Sequence, residues 1–343
     1  MKYAVSNHDL MLVREKVNAS IDFLQSIDDD AVRKKIEQEV NQFSQKKVFS
    51  LGQKLALANG VFNSIRGLDV LQPLVDDDEI SEIMVNGFSD IFIERKGRIE
   101  KLGFAFDNKE RLDAVIQKIV AEINRVVNEA SPIVDARLQD GSRVNIVLSP
   151  LALDGSVMTI RKFPKRALEI HDLVKNRAIT QEAVDFLKEL ICARYNIFIC
   201  GGTSSGKTTL LNALAGLIPA SERLITIEDS AELQIHGRQN LVRLETRNAN
   251  CEGRGEISMD ALIKTSLRMR PDRIIVGEVR GRECFSMLQA MNTGHDGSLS
   301  TGHANSPPDM ISRLEAMVLM ASQMPIDAAR RQIVSALEIM IHT

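Results

Sequence analysis

The chain has no tryptophan and only two tyrosines among its 343 residues. It therefore lacks the aromatic platforms on which unpaired bases stack, and a direct nucleic-acid partner is not expected. Cysteine is sparse: Cys192, Cys200, Cys251 and Cys284 form no Cys-x-x-Cys pair and no metal spacing, which fits reduced, mostly buried thiols in a cytosol rather than a disulfide framework. No apolar run approaches the roughly 18 to 20 residues that span a bilayer, and the opening MKYAVSNHDLMLVREK has no continuous apolar core of a secretory signal. The expectation is a protein neither inserted in a membrane nor exported. Positive charge is not in excess either, since 43 Lys and Arg stand against 46 Asp and Glu for a net charge of -3. Bulk basicity thus gives no argument for nucleic-acid binding. What remains, 44% hydrophobic and 26% charged residues, is the balance of a globular chain, long enough for about two domains and a short third.

Along the chain, Leu10, Val13, Val17, Ile21 and Leu24 recur at helical steps, as do Val32, Ile36, Val40 and Phe43 after the acidic run Asp28-Asp29-Asp30. Leu55, Ala58, Phe62 and Ile65 suggest a third helix, so residues 1–68 read as a small helical N-terminal unit. Residues 69–163 read as an α+β unit: a hairpin around the Lys96-Gly97 turn, a helix marked by Leu112, Val115, Ile116, Ile119 and Ile123, and strands near 133–138, 144–148 and 157–161. Phe163-Pro164-Lys165 suggests a linker. From 164 to 343 helices alternate with short, fully apolar strands at 197–200, 224–227, 274–276 and 298–301, and this predicts a mostly parallel α/β sheet covered on both faces. Met310, Leu314, Met317, Val318, Met320 and Met324 lie at helical spacing. Methionines suit adaptable subunit contacts, but this spacing favours ordinary core.

The strongest chemical signal is Gly201-Gly202-Thr203-Ser204-Ser205-Gly206-Lys207-Thr208-Thr209, a full match to G-x-x-x-x-G-K-[ST] between an apolar strand and a helix. Glycines let such a loop wrap a phosphate with its N–H groups inward, and the helix adds its positive end. Lys207 is expected to reach the β and γ phosphates. The Thr208 hydroxyl is expected on Mg²⁺, with Glu278 contributing through water. Hydrolysis needs carboxylates at the carboxyl ends of neighbouring strands, and Glu228-Asp229 and Glu278 stand there. Each taken alone also reads as a surface carboxylate capping the next helix. The run Thr293-Gly294-His295-Asp296-Gly297-Ser298-Leu299-Ser300-Thr301-Gly302-His303-Ala304-Asn305-Ser306 holds two of the six histidines. Zinc is weakly supported there because no Cys or third His lies at ligand spacing. A γ-phosphate sensor and a structural turn both remain open readings.

Taken together, GGTSSGKTT, the strand end Ile227-Glu228-Asp229, the stretch from Leu267 through Arg270-Pro271-Asp272 to Glu278-Val279-Arg280, and TGHDGSLSTGHANS resemble the Walker A, Asp-box, Walker B and His-box motifs of the type II/type IV secretion ATPase superfamily. VDARLQDGSRVN, TIRKF and AMNTGHDGSLSTGHANS resemble most its Flp/Tad pilus assembly branch, the CpaF/TadA-like ATPases. The resemblance runs from about Leu71 to the C-terminus. It implies a RecA-like P-loop ATPase core behind a PAS-like N-terminal domain, in a cytoplasmic, hexameric motor. Such a motor docks on inner-membrane platform proteins and uses ATP and Mg²⁺ to drive pilus assembly or secretion. By the family pattern Glu278 is the Walker B carboxylate and Glu228 the Asp-box acid, with the choice of general base open. His303, and less surely His295, take the His-box role. Arg143 and Arg161 match arginines that the family's N-terminal domain brings to the nucleotide, and guanidinium groups suit the charge spread over a transferring phosphoryl; as plain strand-end arginines they would be ordinary surface. Two departures stand out. Ser204 replaces a glycine common in relatives, tolerable if that position needs no positive φ. The chain also stops at Ile341-His342-Thr343 where relatives continue, so a shortened C-terminus is expected. Two rival functions remain: a nucleotide-gated scaffold with little turnover, and a nucleic-acid translocase, which the acidic balance disfavours.

Overall fold

The computed structural model describes residues 6–20, 28–45, 47–123, 125–138, 140–163, 166–247, 249 and 254–343. They divide into two compact units, Met1–Pro164 and Lys165–Thr343.

The first unit opens with α1 (Asn7–Ser20), α2 (Asp29–Ser44) and α3 (Leu51–Ile65). The acidic run starts α2: the Asp28 carboxylate accepts from Ala31 N at 2.7 Å, and the remaining acids sit in the first turn, where the helix dipole favours them. A reciprocal capping box of Ser50 and Gln53 starts α3. The helical periodicity noted in the sequence closes a core of Val13, Val17, Val32, Ile36, Val40, Leu57 and Val61. Ile21 and Leu24, read as part of the first helix, lie outside the described residues.

After the short α4 (Gln72–Asp76) come β1 (Ile80–Asn86), β2 (Asp90–Arg95), β3 (Arg98–Lys101), α5 (Lys109–Glu122), β4 (Ile133–Arg137), β5 (Arg143–Val147) and β6 (Val157–Arg161). The strands form one antiparallel sheet in the order β3-β2-β1-β6-β5-β4. Leu112, Val115, Ile116, Ile119 and Val120 of α5 are buried in the same core as Ile83, Val85, Ile91, Ile93, Val144, Ile146 and Ile160 of the strands. The sequence reading has no strand at β1, which lies at the centre of this sheet. Its register shifts between Ile80 and Glu82, and the bulge separates the buried Ile80 and Ile83 by three residues instead of two. Of the Phe163-Pro164-Lys165 linker, Pro164 and Lys165 fall outside the described residues.

The second unit runs α6 (Ile170–Lys175), α7 (Gln181–Cys192), β7 (Ile197–Gly201), α8 (Lys207–Ala215), β8 (Leu224–Glu228), β9 (Leu241–Glu245), α9 (Met259–Ser266), β10 (Arg273–Val276), α10 (Glu283–Met291), β11 (Leu299–His303), α11 (Pro307–Ala321), α12 (Ile326–Ala336) and β12 (Ile339–His342). All its strand pairs are parallel, in the order β12-β7-β11-β10-β8-β9. Alternate residues of β7 feed opposite cores. Ile197 and Ile199 pack with the α6–α8 side, whereas Phe198 and Cys200 pack with the α9–α12 side. Both faces of these strands are therefore apolar, which is why they read as continuous hydrophobic runs. Met310, Leu314, Met317 and Val318 are core residues of α11, while Met320 is exposed. No helix among the described residues is long and apolar enough to cross a membrane.

Candidate active site

Strand β7 ends at Gly201 and α8 begins at Lys207, so the glycine-rich loop spans the turn from strand to helix. A Cβ at Gly201 would lie 2.6 Å from both Ser205 Oγ and the backbone oxygen of Thr343, so a side chain there would force its neighbours to shift. Gly206 adopts φ +93 as the residue preceding α8, and no side chain caps that helix. Its first-turn N–H groups are left for an anion. Ser204 has φ +59. This corrects the condition set on the sequence: the position does need the left-handed region, and serine holds it at a cost of about 1–2 kcal/mol relative to glycine.

A polar line crosses the carboxyl ends of five adjacent strands. Lys207, 6% exposed, donates from Nζ to Gly202 O at 2.5 Å and lies 3.2 Å from His303 Nδ1. Burial lowers the lysine pKa, and the Glu278 charge opposes that shift. A charged Lys207 can only donate, so Nδ1 accepts and the ring proton of a neutral His303 sits on Nε2. That nitrogen is 3.0 Å from Glu278 Oε1 but off the hydrogen-bond axis, and the buried Oε1 has no aligned partner. Glu278 Oε2 accepts from Arg280 Nη2 at 3.1 Å; Arg280 Nη1 lies 3.8 Å from Asp229 Oδ2, and Asp229 Oδ1 accepts from Thr246 Oγ1 at 2.8 Å. The strand order β7-β11-β10-β8-β9 produces this line, because each participant follows or ends one of those strands.

Glu228 ends β8 and is 3% exposed. Its Oε1 accepts from Glu232 N at 2.8 Å and Leu233 N at 2.9 Å, while Oε2 is buried without a partner. Burial pushes its pKa up to about 7, against the lowering effect of those two backbone donors. A Cβ at Gly277 would lie 3.0 Å from Glu228 Cγ, so glycine there allows the ends of β8 and β10 to close on this carboxyl. Asp229, Thr246, Glu278 and Arg280 also line a cleft of about 340 Å³.

The structure brings Lys207, His303 and Glu278 together and places Glu228 on the neighbouring strand. It does not bring His295 to them. His295 precedes β11, its Nδ1 is 3.3 Å from Ala290 O, and its own carbonyl accepts from Ser298 Oγ. His303 ends that strand, which runs about 13 Å from Leu299 at 3.3 Å per residue, so His295 is at the amino end of the sheet. Arg143 and Arg161 lie in the first unit, directly opposite each other on β5 and β6. Arg280 had no assigned role in the sequence reading, which named Asp229 only beside Glu228 as a strand-end carboxylate. The available signal was the Glu278-x-Arg280 spacing, which in extended chain puts two side chains on one side.

The residues suit a nucleoside triphosphate with a divalent cation. The uncapped start of α8 and the exposed 202–206 loop accept phosphates, and Lys207 stands at the loop. No cluster of three or more His, Cys, Asp and Glu able to hold a metal exists among the described residues. Mg²⁺ keeps water and phosphate oxygens and takes few protein ligands; the residues that could hold it are Thr208, whose hydroxyl stands in the first turn of α8, and Glu278, whose buried Oε1 has no hydrogen-bond partner.

Similarity to known proteins agrees with this geometry. The description "Type II/IV secretion system protein" matches residues 65–342. The chain is 39% identical to the uncharacterised protein MJ0781 of Methanocaldococcus jannaschii over 77% of its own length, spanning 38% of that longer protein. It is 31% identical to the type IV secretion system protein VirB11 of Brucella suis, over 80% of this chain and 84% of VirB11. The crystal structure of the pilus retraction motor PilT with bound ADP shares the fold at TM-score 0.57 and 19% identity, over 80% of this chain and 77% of that one. With an antiparallel-sheet domain ahead of a parallel, RecA-like P-loop sheet and a family match over most of its length, the chain belongs to the type II/IV secretion ATPase family, a family of ATP hydrolases.

Proposed function

We propose that this chain is the ATP-driven motor of a pilus or secretion machine, within the Flp/Tad pilus assembly branch. The observation that carries the motor reading is the continuous line Lys207–His303–Glu278 at the P-loop, with a second carboxyl, Glu228, one strand away. The phrases VDARLQDGSRVN and TIRKF support the branch.

In this reading Lys207 and the loop N–H groups hold the phosphates, and Thr208 holds Mg²⁺, which supplies charge neutralisation when bound. Glu278 and Glu228 are the two groups able to orient a water and take its proton. Glu228, with a pKa near 7, is matched to proton transfer at neutral pH. His303 faces both Lys207 and Glu278, so a change at the terminal phosphate alters its hydrogen bonds directly. Arg143 and Arg161 are proposed to add guanidinium charge to the transferring phosphoryl. Assembly as a homo-hexamer on inner-membrane platform proteins, on the cytoplasmic side, completes the proposal.

Steady-state phosphate release tests it. Lys207→Ala and Glu278→Gln are each expected to lower kcat/KM by at least about 100-fold. Turnover unchanged in both variants would exclude a P-loop hydrolase. Tight ATP binding without turnover in the assembled oligomer would select a nucleotide-gated scaffold instead.

A further inference from the structure

The backbone that carries Glu278 is fixed on both sides. Gly277 N donates to Ile227 O at 2.9 Å, Gly277 O accepts from Thr301 Oγ1 at 2.7 Å, and Val279 N donates to Thr301 O at 2.9 Å. Downstream, Arg280 N and Gly281 N both donate to Glu283 Oε1, at 2.5 and 2.8 Å. The Glu278 carboxyl is fixed much less. Its Oε1 has no aligned hydrogen bond, and its neighbours on that side are His303 and, beyond it, Lys207. On the other oxygen stands the guanidinium of Arg280, whose second arm reaches toward Asp229 at the end of the next strand.

We propose that Arg280 is a positioning residue for hydrolysis: tethered between Asp229 and Glu278, it holds the Glu278 carboxylate away from Lys207, in the orientation needed to act on water. This rests on the hydrolase reading above. Without the tether, the carboxylate is drawn toward the Lys207 ammonium, which lies beyond His303 on the side of the partnerless Oε1, and it competes with phosphate for that lysine. A planar guanidinium presents its donors in a rigid fork that fixes the relative orientation of two carboxylates, whereas an ammonium is a point charge on a flexible stem. The alternative is a surface ion pair of no consequence. Arg280 is 57% exposed and Glu278 20%, so the pair adds little to folding. Activity and stability therefore separate the two roles.

The test is phosphate release by the full chain carrying Arg280→Ala, Arg280→Lys, Glu278→Gln or the Arg280→Ala/Glu278→Gln pair, with thermal midpoints measured alongside. Arg280→Ala is expected to lower kcat about 10- to 100-fold, the range seen when an orienting partner is lost, with KM within about two-fold and the midpoint unchanged. Arg280→Lys should recover part of the loss, and Arg280→Ala should cost nothing further once Glu278 is Gln. Parental kcat in Arg280→Ala, or losses that multiply in the double variant, would overturn the inference while Glu278→Gln still fails. Equal turnover in the parent and in Glu278→Gln would take Glu278 out of the chemistry and overturn this inference, whereas a parent without turnover in the assembled oligomer would overturn the hydrolase reading itself.

Discussion

Glu228 is a carboxyl whose two oxygens have different surroundings: one accepts two backbone N–H groups, and the other is buried without a donor. Burial dominates, raising its pKa from 4.5 to about 7. A raised pKa means the folded chain binds this proton more tightly than the unfolded chain. Stability is then full below pH 4.5 and is lost as pH climbs through 7, by roughly 3 kcal/mol for a shift of this size. Glu228→Gln is neutral at every pH and escapes that loss. Its stability relative to the parent, measured by urea denaturation, should improve by up to roughly 3 kcal/mol between pH 5 and pH 8; a difference independent of pH would show that Glu228 ionises freely. The buried cysteines titrate far from this range, with burial raising the Cys200 thiol and pushing Cys284 up to about 12.

At the scale of elements, β10 is clamped at its start by an ion pair that has no catalytic part. Arg273 is fully buried and donates from Nε and Nη2 to both oxygens of Glu222, at 2.6 and 3.0 Å, while Nη1 donates to Ile191 O at 2.7 Å. It thereby ties the end of α7 and the approach to β8 to the sheet. Glu222→Ala leaves a guanidinium inside with no counter-charge and should cost about 3–5 kcal/mol in chemical denaturation, whereas replacing both partners by apolar residues of similar volume should recover most of that. A cost under about 1 kcal/mol would mean the pair is solvated in solution. Such pairing was not readable in the sequence, since Glu222 and Arg273 are 51 residues apart. The strands β7, β8 and β10 were readable because they are buried on both faces. β9 and β12 were missed because they are sheet edges with half-buried and exposed residues, and β1 because its bulge breaks the two-residue period. The same distinction holds at the site. Lys207, Glu228, Glu278 and His303 sit where strand ends put them, so motif order located them. The strand read at 298–301 already stood between the two histidines of the polar run, whereas the Arg280 contact depends on the path of a loop.

For the whole molecule, the near-balanced charge leaves recognition to local sites, and each of the two units carries its own apolar core. Nucleotide has its candidate site in the second unit, where the P-loop follows β7. A ligand that binds only the folded state stabilises it by about 2.7 kcal/mol at 100 times its dissociation constant. In scanning calorimetry, ADP at that excess should raise the transition of the unit holding Lys207, and the rise should vanish in Lys207→Ala, which removes the phosphate contact without disturbing either core. Local hydrogen exchange should report the same event as slower exchange at 201–209 and around Glu278 and His303, with residues 80–161 unchanged in an isolated chain. Protection that appears in both units only at concentrations where chains assemble would tie Arg143 and Arg161 to the nucleotide through oligomerisation, whereas protection of both in the monomer would tie them to it within one chain.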